Sequence, residues 1–362
     1  MAMRAKRLLV MAGGTGGHII PGLTIARYLL ARGWEIRWLG TDDRLEADWV
    51  PREGIEIDFI TISGLRGRGI RGWLAAPWRI VRAVRQATVI IKRFQPDVAL
   101  GLGGYVSGPG GIAIRLAGIP LVVHEQNAVL GLTNGVLARL ATRVLTAFPG
   151  TCRGAGIVGN PLRERLLQLP TPRERFADRQ GPLRLLILGG SQGARVLNQT
   201  LPAAAALLGS EVMIWHQVGP GAQPGVIQAY QALGVQPYRL SELIEEMEVA
   251  YAWADLVIGR AGALTISELA AVGVAAILVP FQHADRQQLL NAQVLQRAGA
   301  AEILEEPQLT ASQLVGLIKR YDRPALLQRA IRAHTIACRD ATQHIARVLQ
   351  AVVGQPVEGN DP

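Results

Sequence analysis

Two glycine-rich turns and six histidines are the residues whose types and spacing could do chemistry in this chain. A leucine-rich run from Arg7 to Ala12 leads into Gly13-Gly14-Thr15-Gly16-Gly17, and another from Leu183 to Leu188 leads into Gly189-Gly190-Ser191-Gln192-Gly193. A helical pattern follows each, so unpaired amides and the positive end of a helix dipole stand ready for an anion. Glycine alone would also permit a tight turn from strand to helix. Two such turns at matching places, each with a hydroxyl residue, point to phosphate. Neither is a P-loop, since the chain has three lysines and no Gly-Lys pair. Neither fits the dinucleotide fingerprint, because Ile19 stands where Gly14-Thr15-Gly16 would require glycine; Asp42, ending the second strand, keeps a nicotinamide enzyme as a rival.

His18 directly follows the first turn, at the carboxyl end of a strand, where open α/β sheets bind ligands. A histidine so placed is either structural or a general base. His124, Glu125 and Asn127 end another strand of the first half; Glu125 is the rival base, or else a carboxylate that fixes a loop or orients His18. Gly103-Gly104-Tyr105 forms a third glycine turn at a strand end. His216, His283, His334 and His344 lack any comparable setting and are expected to be structural or surface groups. With no Asp-x-Asp motif and no cluster at metal-ligand spacing, the expectation is a reaction without metal or cofactor.

The elements that must position these groups alternate between short β-branched or leucine-rich runs and helical patterns, which predicts βαβ units and parallel sheets. At 362 residues the chain is long enough for two domains. The restart at Leu183 predicts Rossmann-like domains at 1–160 and 161–339, with Asn160 to Gly181 as linker. A helix at 340–354 is expected to return to the first domain, and 355–362 to form a flexible tail. The composition, 49% hydrophobic and 18% charged, excludes a disordered or fibrous chain. No apolar stretch reaches spanning length, Gly13 and Gly14 break the N-terminal run before it resembles a signal peptide, and two cysteines make no disulfide framework, which together suggest the cytoplasm. Residues 1–163 hold 21 Lys+Arg against 10 Asp+Glu, while 164–362 hold 17 against 18. An anionic partner for the first half follows. From Leu74 to Phe94 a helical wheel puts Ala76, Ile80, Ala83, Val84, Ala87 and Ile91 on a core face. Ile70, Trp73, Leu74, Trp78, Arg79 and Arg82 supply the apolar and basic groups of a membrane contact.

The stretches MAGGTGGHIIPGL (Met11 to Leu23), WLGTDDRLEADWVP (Trp38 to Pro51), ISGLRGRGIRG (Ile62 to Gly72), GGYVSGPGG (Gly103 to Gly111), HEQNAVLGLTN (His124 to Asn134), VGNPLR (Val158 to Arg163), LGGSQGARVLNQ (Leu188 to Gln199), GALTISELAA (Gly262 to Ala271) and PFQHADRQQLLNA (Pro280 to Ala292) resemble the MurG family of bacterial transferases. The resemblance covers essentially the whole chain. It implies the GT-B fold, two Rossmann-like domains with parallel sheets facing across a cleft. It also implies an inverting hexosyltransferase that moves N-acetylglucosamine from UDP-N-acetylglucosamine to the muramyl 4-hydroxyl of lipid I, giving lipid II and UDP for the cell wall.

By the same resemblance, donor contacts fall on Thr15, Gly16, Gly17, Asn127, Arg163, Ser191, Ile244, Ala263, Leu264, Thr265, Ile266, Ser267, Glu268 and Gln288. Glu268 suits the two ribose hydroxyls, the amides near Ser191 the diphosphate, the Ile244 backbone uracil, and Gln287 with Gln288 the sugar hydroxyls. Arg163 and helix N-terminal amides stand in for a cation, His18 is favoured as the base, and Gly103, Gly104 and Tyr105 are expected to take the acceptor's pyrophosphate. The chain departs from the pattern at Ala261, where a serine is expected. The partners implied are UDP-N-acetylglucosamine, lipid I, an anionic membrane surface on the cytoplasmic face of the inner membrane, and proteins of cell-wall and division complexes. A 2-epimerase of the same fold would need no lipid-facing patch. A nucleic-acid-binding protein is disfavoured because the basic run carries no stacking platform or reading motif and leaves both glycine turns unexplained.

Overall fold

A computed structural model describes residues 4–62 and 76–354. Contacts divide them into two compact units: the described residues through Leu162 together with those from Asp340 onward, and Arg163–Arg339.

The first unit is built on β1 (Arg7–Ala12), β2 (Glu35–Gly40), β3 (Glu56–Phe59), β4 (Val98–Gly103), β5 (Leu121–Glu125), β6 (Arg143–Thr146) and β7 (Gly156–Ile157), ordered β3-β2-β1-β4-β5-β6-β7. The pairings are parallel throughout. A parallel sheet covered on both faces needs strands that are apolar on both, and β1 meets that demand. Its Leu8, Val10 and Ala12 join one core with Ile19, Leu23 and Trp38. Leu9 and Met11 point the other way, into a core with Ala83, Ala87 and Ile91 of the helix Ala76–Phe94. The helix Ala341–Val352 lays Ile345, Ala346 and Leu349, one face at helical spacing, onto the first of these cores. Trp38 links core to site: its buried indole N–H donates to the Ala12 carbonyl at 2.8 Å, just before the first glycine turn. Gly22 makes room for that ring, because a Cβ there would meet Trp38 at 2.5 Å.

The second unit repeats the plan with β8 (Leu183–Leu188), β9 (Val212–Gln217), β10 (Arg239–Ser241), β11 (Leu256–Gly259), β12 (Ala275–Leu278) and β13 (Ala301–Ile303), ordered β10-β9-β8-β11-β12-β13 and parallel. The segment read from sequence as a linker is part of this unit from Arg163 onward. It forms two short helices, Glu164–Leu167 and Pro172–Phe176, the second closed by a Thr171–Glu174 capping box. Phe176 is buried in the core. The charges of this stretch are used as caps: Arg175 donates to the carbonyls of Tyr251, Val272 and Gly273, and Arg179 to those of Ala252 and Ala254 and to the buried Asp255. Burial of the Arg175 guanidinium lowers its pKa to about 10. It remains a cation facing carbonyls at a helix end. β7 and β10, of two and three residues, are too short to leave a periodic signature in the sequence.

Candidate active site

In each unit the chain leaves the central strand in one direction and returns on its other side, so the carboxyl ends of β1 and β4, and of β8 and β11, border a switch point. In the first unit this gathers the turn after β1, the turn at the end of β4 and the end of β5. Gly103 and Gly104 carry φ of 104° and 81°, a region closed to most side chains, and a Cβ on Gly104 would overlap the Gly13 carbonyl. Ser107 Oγ accepts from Gly103 N at 3.1 Å and lies 2.7 Å from the carbonyls of Met11 and Gly103, tying the two turns together.

His18 stands in the first turn of the helix Gly16–Leu30, partly buried. Its Nδ1 lies 3.2 Å from the Gly13 carbonyl, an acceptor only, which places the proton on Nδ1 and leaves Nε2 with a lone pair. That Nε2 lies against Gly103, where a Cβ would meet it at 3.0 Å. Burial lowers the imidazole pKa below its ordinary value, partly opposed by the negative charge of Glu125, the Gly13 hydrogen bond and the charge of Glu46. A neutral imidazole with a free Nε2 at neutral pH is what a general base requires.

Glu125 was expected either as a rival base or as a carboxylate that fixes a loop or orients His18, and its hydrogen bonds are those of a loop anchor. Its carboxylate, 1% exposed, accepts from Asn127 N at 2.9 Å, Asn127 Nδ2 at 3.0 Å, Gly131 N at 3.0 Å and Asn134 Nδ2 at 2.9 Å. Four donors use the four lone-pair sites of a carboxylate, an arrangement suited to holding the loop. Glu125 fixes the loop that presents Asn127 and biases His18 through its charge. His124 is structural: Nε2 meets the Gly159 carbonyl at 2.9 Å and Nδ1 the Gln126 amide at 3.2 Å, in full burial. Glu46, which sequence reasoning passed over, is fully buried beneath the first turn and accepts from Gly14 N at 2.9 Å, Thr41 N at 3.1 Å and Thr41 Oγ1 at 2.9 Å. That carboxylate ties the turn to Thr41, and Thr15, Gly16 and Gly17 follow at the helix start.

In the second unit the turn after β8 passes Gly190 and Gly193, with φ of 79° and 73°, into the helix Arg195–Leu208. None of the hydrogen bonds among the described residues brings a carboxylate to it. Ser191 is exposed at its tip, and a cavity of about 500 Å³ opens beside it, lined by Gln192, Gly193, Arg195, Asn198 and Val218. After β11 the helix Ala263–Val272 starts at Gly262 and carries Leu264, Thr265, Ile266, Ser267 and Glu268. Glu268, 8% exposed, has Arg163 Nη2 at 3.5 Å from Oε1, and Arg163 Nη1 donates to the Glu245 carbonyl at 3.3 Å, next to Ile244. Gln288 Oε1 accepts from Ala261 N at 3.2 Å and Phe281 N at 2.9 Å. Arg286, at φ 51°, is a non-glycine residue in the left-handed region immediately before Gln287. Ala261 is fully buried, so the departure from the expected serine costs no exposed hydroxyl.

On the helix Ala76–Phe94, Trp78 is 70% exposed and Val89 68%, while Val81, Arg82, Arg85 and Lys92 are also exposed. At 100° per residue these fall on one stripe. Arg79 is partly buried, and Arg93 pairs with Asp58. Ile70, Trp73, Leu74 and the tail at 355–362 lie outside the described residues. No helix among the described residues is long and apolar enough to cross a membrane.

Two family models match the chain: the glycosyltransferase family 28 N-terminal domain at residues 8–146 and its C-terminal domain at residues 184–345. With the two Rossmann-like units they define a GT-B glycosyltransferase. Among curated proteins, the UDP-N-acetylglucosamine--N-acetylmuramyl-(pentapeptide) pyrophosphoryl-undecaprenol N-acetylglucosamine transferase of Yersinia enterocolitica is 58% identical, covering 97% of this chain and 99% of that protein. That of Serratia proteamaculans is 56% identical with the same coverage. The crystal structure of MurG from Acinetobacter baumannii superposes with a TM-score of 0.84 at 38% identity, over 96% of this chain and 99% of that one. The chain belongs to glycosyltransferase family 28 and, within it, to the MurG family. The calicheamicin glycosyltransferase CalG4, at 19% identity and a TM-score of 0.72, shares the fold.

Proposed function

We propose that this protein transfers N-acetylglucosamine from UDP-N-acetylglucosamine to the muramyl 4-hydroxyl of lipid I, yielding lipid II and UDP in peptidoglycan synthesis. The observation that carries the chemistry is His18, with Nδ1 held by the Gly13 carbonyl and Nε2 left free beside the Gly103–Gly104 turn. Nε2 takes the proton from the muramyl hydroxyl as its oxygen bonds to the anomeric carbon. The bond from that carbon to the UDP phosphate oxygen breaks on the opposite face, so the configuration inverts. The Gly103–Tyr105 turn receives the acceptor's pyrophosphate. The second unit holds the donor, with uracil on the Ile244 backbone, ribose on Glu268, diphosphate on Ser191 and the neighbouring amides, and sugar hydroxyls on Gln287 and Gln288. Arg163 and the helix N-terminus balance the charge of departing UDP. The test is His18→Ala: a base contributes roughly 10²- to 10⁴-fold, so kcat should fall by that range with UDP affinity unchanged by calorimetry. An unchanged kcat would remove His18 from the mechanism.

The acceptor is a lipid, and the stripe of Trp78, Val81 and Val89 flanked by Arg82, Arg85 and Lys92 supports docking of the first unit on an anionic leaflet. The same reading puts the protein at the cytoplasmic face of the bacterial inner membrane, where proteins of cell-wall synthesis and division would meet it.

A further inference from the structure

Tyr251 is fully buried on the helix Met247–Trp253 and plays no part in the chemistry above. A phenol hydroxyl taken out of water is costly unless it finds a partner, and a phenylalanine would fill the same volume without that demand. The Tyr251 hydroxyl donates to Glu268 Oε2 at 2.9 Å. Arg163 stands at the other oxygen, 3.5 Å from Oε1, and also holds the Glu245 carbonyl. The helix bearing Tyr251 continues the loop that bears Ile244 and Glu245, so these bonds close a ring from the loop through Arg163, Glu268 and Tyr251 back to the same segment. Burial, the Glu268 charge and this hydrogen bond raise the phenol pKa well above its ordinary value, so it remains a donor across the working range. Burial raises the pKa of Glu268, while Arg163 and the Tyr251 hydrogen bond lower it.

We propose that Tyr251 is a positioning residue for the nucleoside: its O–H fixes the plane of the Glu268 carboxylate, and the remaining lone pairs are thereby aimed at the two ribose hydroxyls. The inference rests on the donor reading of Glu268. It explains why a tyrosine occupies a sealed apolar position and why its helix is continuous with the uracil loop. The role is distinct from core packing, because phenylalanine would keep the packing and lose the aim.

The experiment is calorimetric binding of UDP and of 2′,3′-dideoxy-UDP to the full chain and to Tyr251→Phe, with thermal unfolding of each. Loss of an aimed, charge-assisted hydrogen bond should weaken UDP by about tenfold. The dideoxy analogue should bind wild type and variant alike. The acid limb of UDP affinity should move to higher pH in Tyr251→Phe, since its carboxylate has lost a donor that favours the charged form. Because phenylalanine strands a buried charge, Glu268→Gln alone and combined with Tyr251→Phe supply the control: in that background the tyrosine should no longer affect UDP affinity. Equal UDP affinity of wild type and Tyr251→Phe, or an equal loss for both nucleotides, would overturn the inference while leaving donor binding intact. A wild-type chain that binds UDP but does not discriminate against the dideoxy analogue would remove Glu268 from the ribose, and the inference with it. A wild-type chain that binds no UDP would overturn the donor reading itself.

Discussion

Glu125→Gln separates the two carboxylate roles that sequence left open. The carboxylate accepts two hydrogen bonds on each oxygen, with Asn127 N and Nδ2 on Oε1 and Gly131 N and Asn134 Nδ2 on Oε2. Glutamine keeps one carbonyl oxygen and so can satisfy only one of these pairs; its NH₂ group then faces two N–H donors. Two charge-assisted bonds are lost, at about 1.5–3 kcal/mol each, so the first unit should lose about 3–6 kcal/mol. Against a total of about 5–15 kcal/mol for a domain, that is a large fraction. For a unit of this size about 1 kcal/mol corresponds to about 2–4 °C, which predicts a Tm fall of at least about 6 °C by calorimetry. The kcat of the folded fraction should drop far less than in His18→Ala. Removing the negative charge also takes away an attraction that raises the His18 pKa. His18 then stays neutral to lower pH, and the acid limb of kcat/KM moves down. A Tm within about 2 °C of wild type together with a kcat loss of about 10³ would refute this reasoning and make Glu125 the base.

Because the base acts when deprotonated and burial lowers its pKa from 6.5, kcat/KM should hold at pH 6.5 and fall only below it; a limb above 6.5 that disappears in His18→Ala would contradict the environment described. Gly104→Ala should destabilise the first unit by more than the roughly 1 kcal/mol expected of Gly118→Ala. Both glycines have positive φ, but only at 104 would the new methyl overlap backbone, so equal Tm values for the two variants would argue against the close approach of the turns. Trp78→Ala with Arg82→Ala and Arg85→Ala should weaken binding to anionic vesicles by at least about 30-fold, from about 1 kcal/mol per basic residue, while turnover of a soluble acceptor is kept. Unaltered vesicle affinity would move the lipid contact elsewhere.

The two sheets were legible because their central strands must be apolar on both faces, and Leu8 to Met11 or Leu185 to Leu188 can be little else. The turns were legible because glycine is the residue type that positive φ demands, as at Gly14, Gly103 and Gly190. Composition failed where side chains act over long sequence distances. Arg175 and Arg179 lie in a stretch as charged as any linker, yet their partners are carbonyls some 70 to 100 residues later in the chain. Nothing local tells a capping arginine from a solvated one. Glu46 and Tyr251 escaped for the same reason. An acidic residue opening a helix and a tyrosine in an alanine-rich one carry no special spacing, and only the fold shows that each is sealed against the other half of a hydrogen bond.

The two units share one architecture, and the difference in their chemistry follows from where each places negative charge. Around the first switch point the protein buries two carboxylates, Glu46 beneath the glycine turn and Glu125 at the end of β5, and both raise the His18 pKa against the stronger effect of burial. Such a site favours an imidazole that must accept a proton and then carry positive charge during the transfer. Around the second switch point none of the hydrogen bonds among the described residues brings a carboxylate to the glycine turn, and the buried Glu268 is met by Arg163 and Tyr251. On the proposed function the amides there are left for a diphosphate and the acid for neutral hydroxyls. On that proposal the same fold divides a transfer reaction, one unit tuned for proton removal and the other for holding an anionic leaving group, by where a few carboxylates stand relative to the same turn.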